Sequence, residues 1–223
     1  MKRLIIRTLS DQLVDVVRDR ILMGHAPADQ AIRQDALASE LGVSKIPLRE
    51  ALARLEQEGL VRSHANRGYF VRALDPGEAE EVYSLRLTLE PETAARAASR
   101  ASAEERAALM AAFDTLSAQP ADRRLAAVRL NREFHMAMVR PSGLPITVQL
   151  LERLHVLSDR YVHKHLEPLG RDERAASEHA VLLQLWLAGD GPGVAAALCQ
   201  HIENTRADLR RQLQPAADGT APA

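Results

Sequence analysis

The chain has 223 residues, 46% of them hydrophobic and 26% charged, which excludes a disordered polyelectrolyte and leaves room for one or two folded domains. Aromatics make up 3% and Cys199 is the single cysteine, so the core must come from Leu, Ala and Val, and neither a disulfide framework nor a cysteine-rich zinc site is available. The net charge of −1 hides a division: residues 1–74 carry 12 Lys/Arg against 9 Asp/Glu, the remainder 17 against 21, so a mildly basic front is expected to face a polyanion.

No apolar run approaches the ~20 residues that span a bilayer. The basic and briefly apolar start, Met1–Arg7, is interrupted by Arg7 and Asp11 well short of a signal-peptide core. The expectation is a cytoplasmic protein without a membrane partner.

In chain order, Ser10 is the expected cap of a helix to about Met23, with Leu13, Val16, Val17, Ile21 and Leu22 at helical spacing, ended by Gly24 and Pro27. A short helix follows over about Gln34–Leu41. Gly42 then supplies a tight turn. Ser44 is the expected cap of the next helix, Pro47 falls in its first turn, and Leu48, Leu52 and Leu55 form its inward stripe. Lys45, Ile46 and Arg49 are left projecting near the helix start. Helix, short turn, helix is the helix-turn-helix pattern, whose second helix enters the major groove N-terminus first. Lys45 and Arg49, one turn apart, suit a guanine edge or a phosphate.

After Gly59 the period changes to alternation. Leu60–Ser63 and Gly68–Val71 read as two strands around the turn His64-Ala65-Asn66-Arg67. A hairpin directly after a recognition helix is a wing, with its tip at Asn66, Arg67 and Gly68. The competing reading of the same pattern is a protein-interaction module.

Leu37-Ala38-Ser39-Glu40-Leu41-Gly42-Val43-Ser44-Lys45-Ile46-Pro47-Leu48-Arg49-Glu50-Ala51-Leu52 resembles the winged helix of the GntR family, and Glu58-Gly59-Leu60-Val61 with Asn66-Arg67-Gly68-Tyr69-Phe70-Val71 resembles its wing. The resemblance covers nearly all of residues 8–72. It implies DNA contacts from Lys45 and Arg49 and from the wing tip at Gly68. The chain departs from the family where the usual arginine after the serine is Lys45, which lacks the planar fork, and where an arginine early in the preceding helix is Asp35, for which Arg33 can compensate.

Beyond residue 74 the pattern is helical throughout. Asp75, Pro76 and Glu78 mark a helix start with a capping box, for a helix to about Ser99. Ser102 and Glu105 repeat that logic for a helix to about Gln119. Further helices are expected over about Ala121–Arg140, Pro145–Leu166 and Asp172–Ala188, and Gly189-Asp190-Gly191-Pro192 breaks the last of these and caps a sixth, to about Gln214. The tail Pro215–Ala223 is expected to be disordered. The fold class is therefore mainly α: a winged helix-turn-helix DNA-binding domain over 1–74, then an all-α six-helix bundle over 75–214, for which the GntR resemblance implies effector binding and dimerisation.

Three of the bundle's histidines stand on mainly apolar or uncharged helical faces. His135 shares its face with Val128, Asn131, Met138 and Val139, His179 with Ala175, Ala176, Leu182 and Leu183, and His201 with Ala197, Leu198, Asn204 and Thr205. His163 reads as solvated and His155 as borderline. Buried imidazoles need partners, and three that converge can share a divalent metal of the Zn or Ni type, with Asn131 as an oxygen ligand. The competing reading is three separately hydrogen-bonded core histidines. Arg86, on a face with Val82 and Leu89, reads either as an inward clamp for a carboxylate or as a surface pair with Glu90. Cys199 and Trp186 read as core.

Residues 78–210 resemble the FCD ligand-binding domain of the FadR-type branch of GntR regulators, through Leu85-Arg86 with Leu89-Glu90-Pro91, Asn131-Arg132-Glu133-Phe134-His135, Ser177-Glu178-His179, Gly189-Asp190 and His201. The resemblance implies a divalent metal held by Asn131, His135, His179 and His201, with Asn131 standing where the family has aspartate. It also implies a small carboxylate effector near Arg86, with Arg160 and Tyr161 as further lining. The resulting expectation is a homodimeric repressor on a palindromic double-stranded operator. Two alternatives stand beside it: a metal-dependent hydrolase, and a DNA-binding regulator with a metal-free organic pocket.

Overall fold

A computed structural model describes residues 8–119, 124–166, 168 and 170–213. The chain divides into two compact units, Met1–Ala73 and Leu74–Ala223, each with its own apolar core. The basic start Met1–Arg7, the expected helix start at Ala121 and the tail Pro215–Ala223 lie outside the described residues. No helix among the described residues is long and apolar enough to cross a membrane.

The N-terminal unit runs α1 (Leu9–Leu22), α2 (Gln34–Glu40), α3 (Lys45–Gln57), β1 (Val61–His64) and β2 (Gly68–Val71). The cap of α1 is Thr8, not Ser10. Thr8 has an acid three residues on, so its hydroxyl accepts from the Asp11 N–H while the Asp11 carboxylate accepts from the Thr8 N–H, closing a capping box. Ser10 has Leu13 at that spacing and is instead buried inside α1, its hydroxyl donating to Glu50. Leu48, Ala51, Leu52 and Leu55 are fully buried along one face of α3 and meet Leu13, Val14 and Val17 of α1 and Ala38 of α2. Burying each such leucine contributes about 1.5–3 kcal/mol.

The hairpin is antiparallel, Val61 opposite Val71 and His64 opposite Gly68. Residues 29–32, which carry no alternation, add a third edge: the Asp29 N–H donates to Val71 O at 2.9 Å and the Ile32 N–H to Tyr69 O at 2.8 Å.

The C-terminal unit is all-helical among the described residues: α4 (Pro76–Ala98), α5 (Ala103–Ser117), α6 (Arg124–Val139), α7 (Pro145–His165), α8 (Arg171–Ala188) and α9 (Gly191–Leu213). Asp75 caps α4 by accepting from the Glu78 N–H, but Glu78 does not return the bond; its side chain meets Tyr161 instead. The Ser102/Glu105 box closes in both directions. A 3₁₀ turn at Arg140–Ser142 and left-handed Gly143 end α6 and release the chain into α7. Trp186 is fully buried and its indole N–H donates to Met138 O at 3.0 Å. Cys199 is exposed rather than core, and His163 is half-buried rather than solvated. In both cases helical spacing names the residue's neighbours on its own helix, whereas the packing of other helices decides what covers them.

Candidate nucleic-acid interface and metal centre

The first group of predicted site residues lies at the start of α3 and at the wing tip. Ser44 occupies the cap position in an extended conformation, yet its side chain makes no cap bond, so the exposed hydroxyl stays available. Lys45, Ile46 and Arg49 are all exposed, Ile46 to 72%. Lys45 Nζ lies 2.6 Å from Asp35 Oδ1 in an open surface pair. Arg49 has no ion pair among the described residues. Arg33, exposed at the cap position of α2, makes no side-chain cap bond.

The tip residues Asn66 and Arg67 are exposed, and the Arg67 guanidinium sits 5.4 Å from the centre of the Phe70 ring. Asn66 and Gly68 take left-handed φ values of 60° and 84°, which suit asparagine and glycine. The turn chemistry thus presents a cation and an amide at the end of a two-stranded ribbon.

The second group converges inside the C-terminal unit. His135 on α6, His179 on α8 and His201 on α9 are buried, and one ligand nitrogen from each lies within 4.8 Å of the others. Their ring centres are 4.7–5.4 Å apart. His135 Nδ1 stands 2.7 Å from Glu90 Oε1, and His201 Nδ1 stands 2.6 Å from Glu178 Oε2. The Nε2 atoms of His135 and His179 are buried with no hydrogen-bond partner among the described residues. Burial pushes His135 down to about 3 and His179 well below its ordinary value, so both imidazoles are neutral at pH 7. A neutral imidazole with an unpartnered nitrogen is the ligand form of histidine, so this donor set fits a divalent metal. Asn131 is half-buried on α6, one turn before His135.

Arg86 is 3% exposed. The two readings of it merge: it points inward, and it pairs with Glu90, but the pair is buried rather than on the surface. The Arg86 Nε–H donates to Glu90 Oε2 at 2.8 Å, and Nη1 is 3.4 Å from Ser158 Oγ. Burial opposes the charge on Glu90, but Arg86, His155 and His135 prevail and hold it well below the usual carboxylate range. His155 Nε2 is 3.2 Å from Glu90 Oε2, within ion-pair range but without hydrogen-bond alignment. The Arg160 guanidinium lies over the Tyr161 ring, and the Tyr161 hydroxyl donates to Asp75 O at 3.2 Å, so it is committed to the start of α4.

Four residues of the centre escape a reading of the sequence as a site. Glu90 and His155 lie on buried stripes, Tyr83–Arg86–Glu90–Ala94 and Leu151–His155–Ser158–Val162, whose spacing is legible although their inward direction is not. Glu178 directly precedes His179 and is legible only as part of the Ser177-Glu178-His179 match, without a role. The Tyr83 hydroxyl is buried without a hydrogen-bond partner among the described residues, and its ring lies 5.3 Å from the Arg86 guanidinium.

With this geometry in hand, comparison with known proteins is decisive. The model of the FCD domain matches residues 81–204, more than half of the chain, and that of the bacterial regulatory proteins of the gntR family matches residues 9–71. The chain belongs to the GntR family and carries its FCD domain. It is a DNA-binding transcription regulator and not an enzyme, which removes the hydrolase alternative. The Nta operon transcriptional regulator of Aminobacter aminovorans is 35% identical over 139 residues, 61% of this chain and 63% of that protein. A protein of Escherichia coli (strain K12) named for regulation of the L-lactate dehydrogenase operon is 28% identical over 92% of this chain and 88% of its own length. E. coli McbR/YncC, a solved structure, shares the fold with a TM-score of 0.74 at 22% identity, over 94% of this chain and 100% of that one.

Proposed function

We propose that this GntR/FCD regulator is a cytoplasmic, homodimeric repressor whose hold on a palindromic operator is controlled by a small organic acid bound beside a divalent metal. In the N-terminal unit, α3 enters the major groove with Lys45, Ile46 and Arg49 leading. Ser44 and Arg33 take phosphates, and Asn66, Arg67 and Gly68 lie against the minor groove or backbone. Two copies related by a two-fold axis read the two half-sites.

In the C-terminal unit, His135, His179, His201 and Asn131 hold the metal, of the Zn or Ni type. The bound ion supplies a positive point for a carboxylate oxygen of the effector. Arg86 and the Tyr83 hydroxyl supply hydrogen-bond donors for the remaining oxygens, and Arg160 and Tyr161 close the end of the pocket toward the start of α4. The relative named for a lactate operon is in keeping with an acid of that size. The observation that carries the reading is the convergence of three buried imidazoles from three helices, two of them with unpartnered Nε2 atoms.

The test combines elemental analysis of untagged protein, purified without chelator, with gel shifts on the DNA upstream of its own gene. The expected results are about one divalent ion per chain, a salt-sensitive shift, and release by a member of a panel of small organic acids. A His179→Ala protein that is folded by circular dichroism is expected to lose the ion. Full metal content in that variant removes the ligand assignment. Metal-free wild-type protein whose shift answers to an organic acid supports the purely organic pocket instead.

A further inference from the structure

We infer that Glu90 and Glu178 are positioning residues that set the tautomers of His135 and His201 before any ion arrives, so that the metal-free protein already presents both Nε2 lone pairs at one point. The inference rests on the metal reading for its purpose, but its geometry is independent of an ion. An ionised carboxylate only accepts hydrogen bonds. An imidazole whose Nδ1 lies 2.7 Å from Glu90 Oε1, or 2.6 Å from Glu178 Oε2, must therefore carry a proton on Nδ1, and a ring with a single proton carries it there. That leaves the lone pair on Nε2. A histidine free in water prefers the opposite arrangement, with the proton on Nε2, so both glutamates act against the intrinsic preference.

Each glutamate is in turn held in place. Glu90 Oε2 accepts from Arg86 at 2.8 Å, with both residues buried. Glu178 Oε1 accepts from Asn204 Nδ2 at 2.7 Å and lies 3.6 Å from Arg174 Nε, and Arg174 is itself paired with the buried Asp208. The two supports come from different helices, α4 for His135 and α8 for His201, while His179 follows Glu178 directly. Four helices are thus tied to one point through two carboxylate–imidazole bonds. The unpartnered Nε2 of His135 is the cost of that arrangement, and an ion relieves it.

The experiment uses full-length, metal-free protein with ¹⁵N-labelled histidine and long-range ¹H–¹⁵N spectra, assigned with His135→Gln and His201→Gln. His135 and His201 are expected as Nδ1–H tautomers. In Glu90→Gln and Glu178→Gln the amide can donate as well as accept, so the corresponding ring is expected to drift toward the Nε2–H form. Zn²⁺ affinity, read by competition with a chromophoric chelator, is expected to fall about 10- to 100-fold. Glu178→Asp, which keeps a carboxylate, is expected to recover part of that loss. Should Glu90→Gln fail to fold, Glu178→Gln carries the test alone, because its side chain is 23% exposed. Nε2–H tautomers in the metal-free wild type, or glutamine variants that bind Zn²⁺ as tightly as the parent, overturn the inference. A wild type that takes up no Zn²⁺ overturns the metal reading instead, while the tautomers, read without an ion, still decide this inference.

Discussion

The two units handle polar side chains in opposite ways. In the N-terminal unit Ser10 is the one buried polar residue among those described, and the cations of α3 and the wing lie outside. The C-terminal unit buries Arg86, Glu90, His135, His155, Asp159, Arg160, His179, His201 and Asp208. Under the proposed function the difference follows from the size of the ligand. A DNA duplex is met from outside, so its reader keeps an apolar core and spends its charge on the surface. A small molecule must be enclosed, so its receptor moves charge inward, where each interaction is stronger and each unpaired group costs more.

The comparison is tested most severely by removing the same kind of ion pair from each unit. Arg86→Met leaves Glu90 buried without its counter-charge and is expected to destabilise the C-terminal unit by about 3–5 kcal/mol. Arg18→Met breaks a pair with Glu58 at 2.8 Å in the N-terminal unit, where both partners keep access to water, and is expected to cost about 1 kcal/mol or less. Urea unfolding followed by circular dichroism measures both. Equal losses would erase the distinction between the units.

A smaller effect is expected from outside. Arg49→Ala should weaken operator binding by about 1–3 kcal/mol without moving the unfolding midpoint, and Lys45→Ala should weaken it less, because Lys45 must first give up Asp35. Fluorescence anisotropy on the operator reads the two variants. Unchanged affinity in the double variant would remove α3 as the reading helix.

Acid separates the units again. Burial holds His135 at about 3 and pushes His155 and His179 down, whereas each returns to about 6.5 in the unfolded chain. Between those values the unfolded chain binds more protons. Stability of the metal-free C-terminal unit therefore falls as pH drops below about 6.5, by about 1.4 kcal/mol per pH unit for each histidine concerned. His25 and His64 of the N-terminal unit are exposed. Trp186, the single tryptophan, reports the C-terminal unit alone, and its unfolding midpoint is expected to drop between pH 7.5 and 5.5. A constant midpoint would mean that the histidines are not buried as neutral groups.

Much of this contrast is legible in the sequence, and what escapes has a physical reason. Asp75 with Pro76, Ser102 with Glu105, and the leucine stripe of α3 are local signals, complete within one turn or one helix. The three histidines are legible because each stands on an apolar face of its own helix. Glu90 is different: its partner His135 lies 45 residues away on another helix, and the same i,i+4 spacing from Arg86 describes a surface pair and a buried one equally well. Periodicity says which residues share a face; it does not say what the face meets. The third edge of the wing, residues 29–32, is too short to alternate, and Cys199 is exposed because no helix among the described residues covers it.

The smallest effect concerns the wing, where one backbone angle holds surface chemistry in place. Gly68 has φ +84°, and a Cβ there would lie 3.2 Å from Gln34 Nε2. The clash itself is cheap, because a flexible amide end can move. The angle is not, since an L-residue in the left-handed region costs about 1–2 kcal/mol. Gly68→Ala is therefore expected to destabilise the N-terminal unit by about that amount, to lower operator affinity a few-fold, and to leave the Trp186 signal untouched. A replacement that keeps full affinity would show that the wing tip is not held at the DNA by its turn, and that α3 alone carries the outward half of the comparison.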